Sequence, residues 1–427
     1  MGRIRVPYGT GFQEAELPDN LNVEVIDPPE RENQVDVLQC MEEALDHPIG
    51  SPKLEDMVTC GQHVVILVND QTRPGPNAEM VWLIRERLQR KQIPDKDITV
   101  VIATGSHKGP DEKQMNTLLG GLEKILRVHV HDCEDGDHVY MGNTALLDVP
   151  IYLDRIVAEA DFIITTGLIS PHQSAGFSGG RKSIVPGVVS LDTLKIHHSL
   201  KVRPYEPAVG YYDGNPFHEV AKEAARMVNA GFMLNVVQDP HKKIVGAVAG
   251  DLEKAHAAGV ELCRKENIVD VHGRAELIIT SPGGAPRDID LWQSQKALSV
   301  PELICVPGKT TFILVAEAKK GIPQMFVDWM SHAKTAEDVI ERYRREGFGI
   351  GSNKAFMYAR CMLKGRIILV SEGMTKEEAR RVKLEWAPDL QTAIQMALEE
   401  QRPKKVIVLP RAINMIPNII EERGQTL

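Results

Sequence analysis

HVVILVNDQTRPGPNAEMVWLIRERLQRKQIPDKDITVVIATGSH, residues 63–107, decides how the chain is built. Its two ends, HVVILVND (63–70) and ITVVIATGSH (98–107), are apolar runs without alternation. Such runs suit strands buried on both faces of a parallel sheet. Between them NAEMVWLIRERLQRKQ (77–92) repeats Met80, Ile84 and Leu88 at helical spacing, behind an Asn77 placed to cap. Strand, polar loop, helix, strand is a βαβ unit, and the chain goes on repeating it. LRVHVHD (126–132), DFIITTG (161–167) and MLNVVQD (233–239) supply more strands. After the helical stretch LEKAHAAGVELCRKEN (252–267) a second set follows: ELIITSPGG (276–284), TFILVAE (311–317), GRIILVSEG (365–373) and KKVIVLP (404–410). The expectation is an α/β protein of two α/β domains with mainly parallel sheets, residues 1–270 and 271–427. Its active site is expected in the interdomain cleft, because ligands of open parallel sheets gather at the carboxyl ends of the strands.

The bulk numbers agree and exclude several classes. A chain of 427 residues exceeds one typical core, and 43% hydrophobic with 26% charged residues is ordinary for a globular protein. A net charge of −9 leaves no footprint for nucleic acid or for an anionic membrane surface. No run approaches the roughly 18 apolar residues that a membrane span needs. The start, MGRIRVPYGTG, lacks a signal peptide's apolar core. The six cysteines lie far apart with no CxxC pair, which reads as reduced thiols in a cytoplasmic protein.

The segment richest in chemistry is PHQSAGFSGGRKSIVPGVVSLDTLKIHHS, from Pro171 to Ser199. Gly176, Gly179 and Gly180 free the backbone, and Arg181 and Lys182 follow at once, so a phosphate cradle is one reading. A tight turn with solvated cations is the other. The GxxxxGK[ST] spacing of a Walker loop is absent. A partly buried Lys182 could also act as a covalent anchor. His172 and His198 flank the loop. Ordinary metal sites take three or four side-chain ligands, so a metal at His198 must bring most of its ligands with it.

Two loops at strand ends carry further candidates. In DQTRP (70–74), Arg73 offers a planar fork for a carboxylate or phosphate, and Asp70 could orient it, accept from a ribose hydroxyl or simply cap the turn. ATGSH (103–107) puts His107 just past a strand, where a proton carrier is useful near neutral pH. In the second domain Gln293 and Lys296 are three apart on one helical face, beside Trp292, and together could grip a carboxylate. HDCEDGDH (131–138) looks metal-rich, yet its spacing matches no zinc or calcium loop, and it reads as a solvated turn.

Taken in order, DQTRP, ATGSH, PHQSAGFSGGRKSIVPG, a histidine sixteen residues after the lysine, and the Gln293–Lys296 pair resemble the nickel-pincer lactate racemase family over essentially the whole chain. The resemblance implies a 2-hydroxyacid racemase or epimerase whose cofactor is a nickel pincer nucleotide (nickel pyridinium-3,5-bisthiocarboxylic acid mononucleotide). It implies that Lys182 holds the cofactor covalently and that His198 completes a nickel sphere otherwise made of one carbon and two sulfurs. Asp70, Thr72, Gly179 and Gly180 would lie near the cofactor. Arg73, Lys296, Gln293 and Trp292 would meet the substrate. His107 and His172 would exchange the hydroxyl proton, one per enantiomer, as hydride leaves Cα and returns through a 2-oxoacid. The first domain would then hold cofactor and nickel, and the second would add substrate contacts. The implied partners are a small 2-hydroxyacid and the proteins that mature the cofactor. Lys108 stands where many members have arginine, and His197 where asparagine is common. Two rivals remain at this level: a pyridoxal-phosphate enzyme with its Schiff base on Lys182, and a non-catalytic nucleotide or phosphate binder.

Overall fold

The computed structural model describes residues 2–28, 30, 35–228, 230–349 and 351–421. It forms two units, one of residues 31–266 and one that joins residues 1–30 to 267–427.

In the 31–266 unit, six strands run Ile244–Gly250, Ala230–Gln238, Phe162–Ile169, Val64–Asn69, Ile98–Ala103, Arg127–Val130 across the sheet. All neighbours are parallel except the first pair, which is antiparallel. Val64, Val65, Ile66, Leu67 and Val68 are wholly buried, as are Ile98, Val100, Val101 and Ile102. The non-alternating runs thus end where both faces are covered. The Asn77–Arg90 helix lays Met80, Val81, Ile84 and Leu88 on this sheet. Asn77 does not cap it: Pro76 precedes the first turn without a side-chain cap, and Asn77 is itself helical and buried. The Ile244–Gly250 strand was not expected, because IVGAVAG carries too many small residues to stand out as a strand.

The unit of residues 1–30 and 267–427 holds a second six-stranded sheet, ordered Glu385–Ala387, Gly365–Val370, Thr310–Val315, Leu277–Thr280, Lys405–Leu409, Asn22–Val25, all parallel. The first thirty residues, expected with the first domain, therefore belong here. Two causes put them there. Asn22–Val25 pairs with Lys405–Leu409 and so satisfies a strand edge that would otherwise be open. The Gly2–Tyr8 and Gly11–Leu17 hairpin turns Ile4, Val6, Tyr8, Ala15 and Leu17 onto the core with Leu277, Ile313 and Ile368, since a lone hairpin cannot bury its own face. The tail runs as Ile416–Ile420, parallel to Ile268–His272.

HDCEDGDH folds largely as a turn: Asp132 accepts the backbone N–H groups of Glu134 and Asp135. His131 is the exception. It is buried and bonds Asp154 at 2.9 Å and the carbonyl of Val189 at 3.1 Å.

Candidate active site

The sheet of the 31–266 unit decides where chemistry can gather. From Val64–Asn69 the chain moves to Ile98–Ala103 on one side and returns to Phe162–Ile169 on the other. The crossovers leave in opposite directions and open a crevice at the carboxyl ends of these strands. Asp70, Thr72 and Arg73 follow the first strand, His107 the second, and His172 the third.

Asp70 sits at the centre of the first group. Fully buried, it accepts Thr72 N–H at 2.7 Å and the Thr72 hydroxyl at 2.5 Å on one oxygen. Its other oxygen lies 2.7 Å from His107 Nδ1 and 3.5 Å from an Arg73 nitrogen. Burial alone would raise this carboxyl, but the His107 hydrogen bond, the Arg73 and His107 charges and the Thr72 hydroxyl hold it at about 2. Both oxygens of Asp70 are engaged inside the protein. A carboxylate facing Nδ1 favours the Nδ1–H tautomer of His107, which leaves a lone pair on Nε2. Arg73 is about two-fifths exposed, so its fork keeps access to a ligand.

An acid-stability signature follows. The folded carboxyl titrates near 2 and an unfolded one near 3.9. The stabilisation is therefore complete above about pH 4 and disappears as pH falls through about 2, amounting to on the order of 2–3 kcal/mol. Urea unfolding of the wild type and of Asp70→Asn should show a gap at neutral pH that closes toward pH ~2. A gap that stays constant with pH would mean that Asp70 is not held as a paired carboxylate.

The glycine loop is built differently from a phosphate cradle. Gly179 and Gly180 have φ of +82° and +54°. A Cβ on Gly179 would come within 2.4 Å of the Asn235 oxygen, and one on Gly180 within 2.8 Å of the His256 ring. These glycines let the loop close on its own protein, and the Gly180 N–H is already given to Asn235 at 2.8 Å. Arg181, read from sequence as a solvated or phosphate-facing cation, is buried. It donates to the carbonyls of Gly179, Ala175 and Phe177 at 3.0, 3.2 and 3.0 Å. Burial lowers its guanidinium to about 10. Arg181→Ala is expected to cost roughly 2 kcal/mol or more, because the buried Ala175 and Phe177 carbonyls lose their Arg181 donor at about 1–3 kcal/mol each, while Gly179 keeps the Lys182 N–H at 3.2 Å. Chemical denaturation measures this, and an unchanged midpoint would refute the assignment. Asn235 and His256 escaped the sequence reading. Their signal was there: an amide inside the apolar run MLNVVQD, and a histidine on the apolar side of the helix that includes KAHAAG.

The loops carrying His107 and Lys182 are tied together. Gly105 N–H donates to the Gly187 carbonyl at 2.9 Å, and Gly187 N–H to the Lys182 carbonyl at 3.1 Å. Lys182 is half-buried, and its charge is among the causes that depress His198. His198 ends the Leu191–His197 helix. Burial first, then the His197, Arg203 and Lys182 charges, hold its ring well below the usual imidazole range. A neutral imidazole is the form that binds a metal. His197 is distinguished by geometry as well as by spacing. It is fully buried, with Nε2 3.1 Å from the Phe217 carbonyl, and packs at a tilt against the Phe217 ring, their centres 3.9 Å apart. The edge-on contact of His198 with the same ring, 5.0 Å away, backs the other side.

His172 pairs with Gly176 in a short hairpin, Pro171–His172 against Gly176–Phe177. Its Nδ1 accepts the N–H groups of Ser174 and Ala175, both at 3.1 Å. In the other unit Lys296 donates to Gln293 at 2.8 Å, so the side-by-side pair expected on that helical face is formed. Trp292 is half-buried, with the Lys354 ammonium 5.9 Å from its ring centre.

Comparison with known proteins places these features in a lineage. The family model described as the lactate racemase N-terminal domain matches residues 8–208, and that of the lactate racemase C-terminal domain matches residues 271–417. The chain belongs to the lactate racemase family. Within that family it is 30% identical to the lactate racemase of Thermoanaerobacterium thermosaccharolyticum, over 97% of this chain and 99% of that one. With the lactate racemase of Lactiplantibacillus plantarum it shares 29% identity over 90% and 92% of the two chains. The solved apoprotein of the Thermoanaerobacterium lactate racemase superposes with a TM-score of 0.89 at 29% identity, covering 98% of this chain and 100% of that one. A Thermotoga maritima crystal structure shares the fold alone, at TM-score 0.67 and 17% identity over 90% and 98% of the chains. The protein is thus an enzyme of the isomerase class, with the α/β architecture of lactate racemases. Among the described residues no helix is long and apolar enough to cross a membrane.

Proposed function

We propose that the enzyme racemises or epimerises a small 2-hydroxyacid, with lactate the first candidate because both relatives bear that name. The observation that carries this reading is the Asp70–His107 pair, 2.7 Å apart, on loops joined by hydrogen bonds to the Lys182 turn. A proton acceptor of fixed tautomer, a carboxylate-binding arginine and an anchoring lysine then share one crevice.

The residues present fit a nickel pincer nucleotide. Lys182 offers a half-buried amine in the turn after Gly179, and His198 a ring kept neutral. Among the described residues no three His, Cys, Asp or Glu side chains gather to hold a metal ion. A metal at His198 would therefore take its other ligands from the group that carries it. In this reading Lys182 tethers the nucleotide, His198 ligates its nickel, and Thr72 and Gly179 lie alongside. When bound, the cofactor supplies a reversible hydride acceptor.

The chain does the rest. Arg73 orients the substrate carboxylate through a charge-assisted pair. His107 and His172 meet the hydroxyl oxygen. Cofactor-maturation proteins are the implied partners, and the cytoplasm the implied compartment. The test is a panel of enantiopure 2-hydroxyacids, lactate included, offered to protein co-expressed with a cofactor-maturation system. Racemisation of at least one is expected. Protein that carries nickel and a covalent adduct yet leaves the whole panel optically pure would overturn the reading.

A further inference from the structure

The racemase chemistry leaves one buried charge cluster unused, at the His131 end of HDCEDGDH. The His131 side chain has no exposed surface, and both of its ring nitrogens face acceptors. Nδ1 lies 2.9 Å from an Asp154 carboxylate oxygen and Nε2 lies 3.1 Å from the Val189 carbonyl. A neutral imidazole has one proton, so it would set a lone pair against one of these oxygens, out of reach of solvent. A ring with protons on both nitrogens satisfies both. The countercharge is in place. Burial alone would raise the Asp154 carboxyl, but the His129 and His131 hydrogen bonds hold it well below the usual carboxylate range. His129 Nε2 meets the same Asp154 oxygen at 2.8 Å, and the Ile156 N–H donates to the other at 3.1 Å. His138 stands edge-on to His131, their ring centres 5.5 Å apart. Burial and then the His131 charge depress its ring, so it is the neutral member of the group. Asp132, the other charged neighbour, accepts the Glu134 and Asp135 N–H groups.

What this pair grips is the segment between Lys182 and His198. Besides the His131 contact to Val189, the Asp154 N–H donates to the Val188 carbonyl at 3.0 Å, and the Ser190 N–H to the Tyr152 carbonyl at 2.9 Å. Ser190 then caps the Leu191–His197 helix, which His198 ends. Upstream, the Gly187 N–H returns to the Lys182 carbonyl at 3.1 Å. The His131 backbone faces the other way, toward the strand end that leads to His107. Its N–H donates to the Ile102 carbonyl at 3.2 Å, and its carbonyl accepts the Thr104 hydroxyl at 2.7 Å. We propose that His131 is a standing imidazolium paired with Asp154, and that the pair is a positioning device. It sets the Val188–Ser190 segment, and with it Lys182 and His198, against the strand that carries His107. A buried ion pair adds little net stability, yet it penalises every arrangement that separates its charges. That penalty is what a spacer between two halves of a site requires. The effect on turnover rests on the racemase reading above, whereas the charge state and the grip do not.

Three measurements on the full chain test this. Long-range proton–nitrogen correlation spectra of wild-type protein labelled with 15N-histidine, with the His131 signals assigned by their loss in His131→Gln, read the ring directly. Both His131 nitrogens should be protonated at neutral pH, with or without cofactor, and one unprotonated nitrogen would overturn the proposal. Asp154→Asn keeps the side chain's size and an acceptor oxygen while removing the charge. Hydrogen exchange across residues 187–190 should then quicken roughly tenfold, with the Val64–Asn69 strand as protected as in the wild type. Unchanged exchange, or a quickening spread evenly over both segments, would refute the grip. In enzyme of matched nickel content, Asp154→Asn should lower kcat roughly 10–10²-fold and leave KM within about twofold, as misplaced groups do. A variant at the wild-type rate would remove the positioning role. A loaded wild type that is inactive on every 2-hydroxyacid would instead fail the functional reading, and the ring and exchange results would still decide the ion pair and its grip.

Discussion

Lys182→Ala is expected to abolish turnover and to remove a covalent adduct from the intact mass of co-expressed protein. His198→Ala should keep the adduct and lose nickel. The expectation starts from local geometry. The turn Gly179–Gly180 closes against Asn235 and His256, and buried Arg181 locks it through three carbonyls, so the next residue, Lys182, is presented on a rigid backbone. An anchor of that kind loses little entropy when it forms a bond. His197→Ala separates the two histidines. Because His197 spends Nε2 on the Phe217 carbonyl and packs on its ring, its loss should lower the unfolding midpoint while nickel stays near wild-type stoichiometry. Mass spectrometry and metal analysis on the same preparations measure all three outcomes. A fully active enzyme with no adduct on Lys182, or nickel that follows His197 instead of His198, would reverse the assignment.

Asp70→Asn should lower kcat by roughly 10²–10⁴-fold, close to the loss on removing His107 itself. The amide is nearly isosteric, so the fold should survive. What disappears is the charge that fixes His107 in its Nδ1–H form and stabilises the ring once it is protonated. A carboxylate and an imidazole 2.7 Å apart act as one unit, so their losses should not add. The double variant Asp70→Asn/His107→Ala should be no slower than His107→Ala alone. Steady-state kinetics on enzyme with matched cofactor content decides the point. Additive losses would place Asp70 in a separate role, such as holding Arg73. An Asp70→Asn enzyme at wild-type rate would remove it from the mechanism.

Much of this protein is determined by short-range sequence. VVILVN and ITVVIA suit doubly buried strands, because they are short, β-branched and do not alternate polar with apolar residues. Their order with the helices between them gives parallel layers and places DQTRP and TGSH at carboxyl ends. Residue order and spacing nominate Lys182, His198, His107 and His172 as candidates, since glycine-rich turns and strand ends are local features, and the family resemblance gives them their expected roles.

Tertiary structure decided the rest, because it depends on partners far away in the chain. Nothing near Asp70 in sequence indicates that its carboxylate is taken by His107, thirty-seven residues on. SGGRK reads equally as a phosphate cradle or a tight turn until Asn235 and His256 arrive from distant segments to fill the space beside its glycines. Residues 1–30 look like the start of the first domain until the open edge at Lys405–Leu409 takes up Asn22–Val25. Which nitrogen of His172 carries the proton is likewise set by the Ser174 and Ala175 amides in the folded turn, and not by the identity of the residue. Side-chain type states what chemistry is possible, and only the partners that folding brings within about 3 Å fix charge state and tautomer.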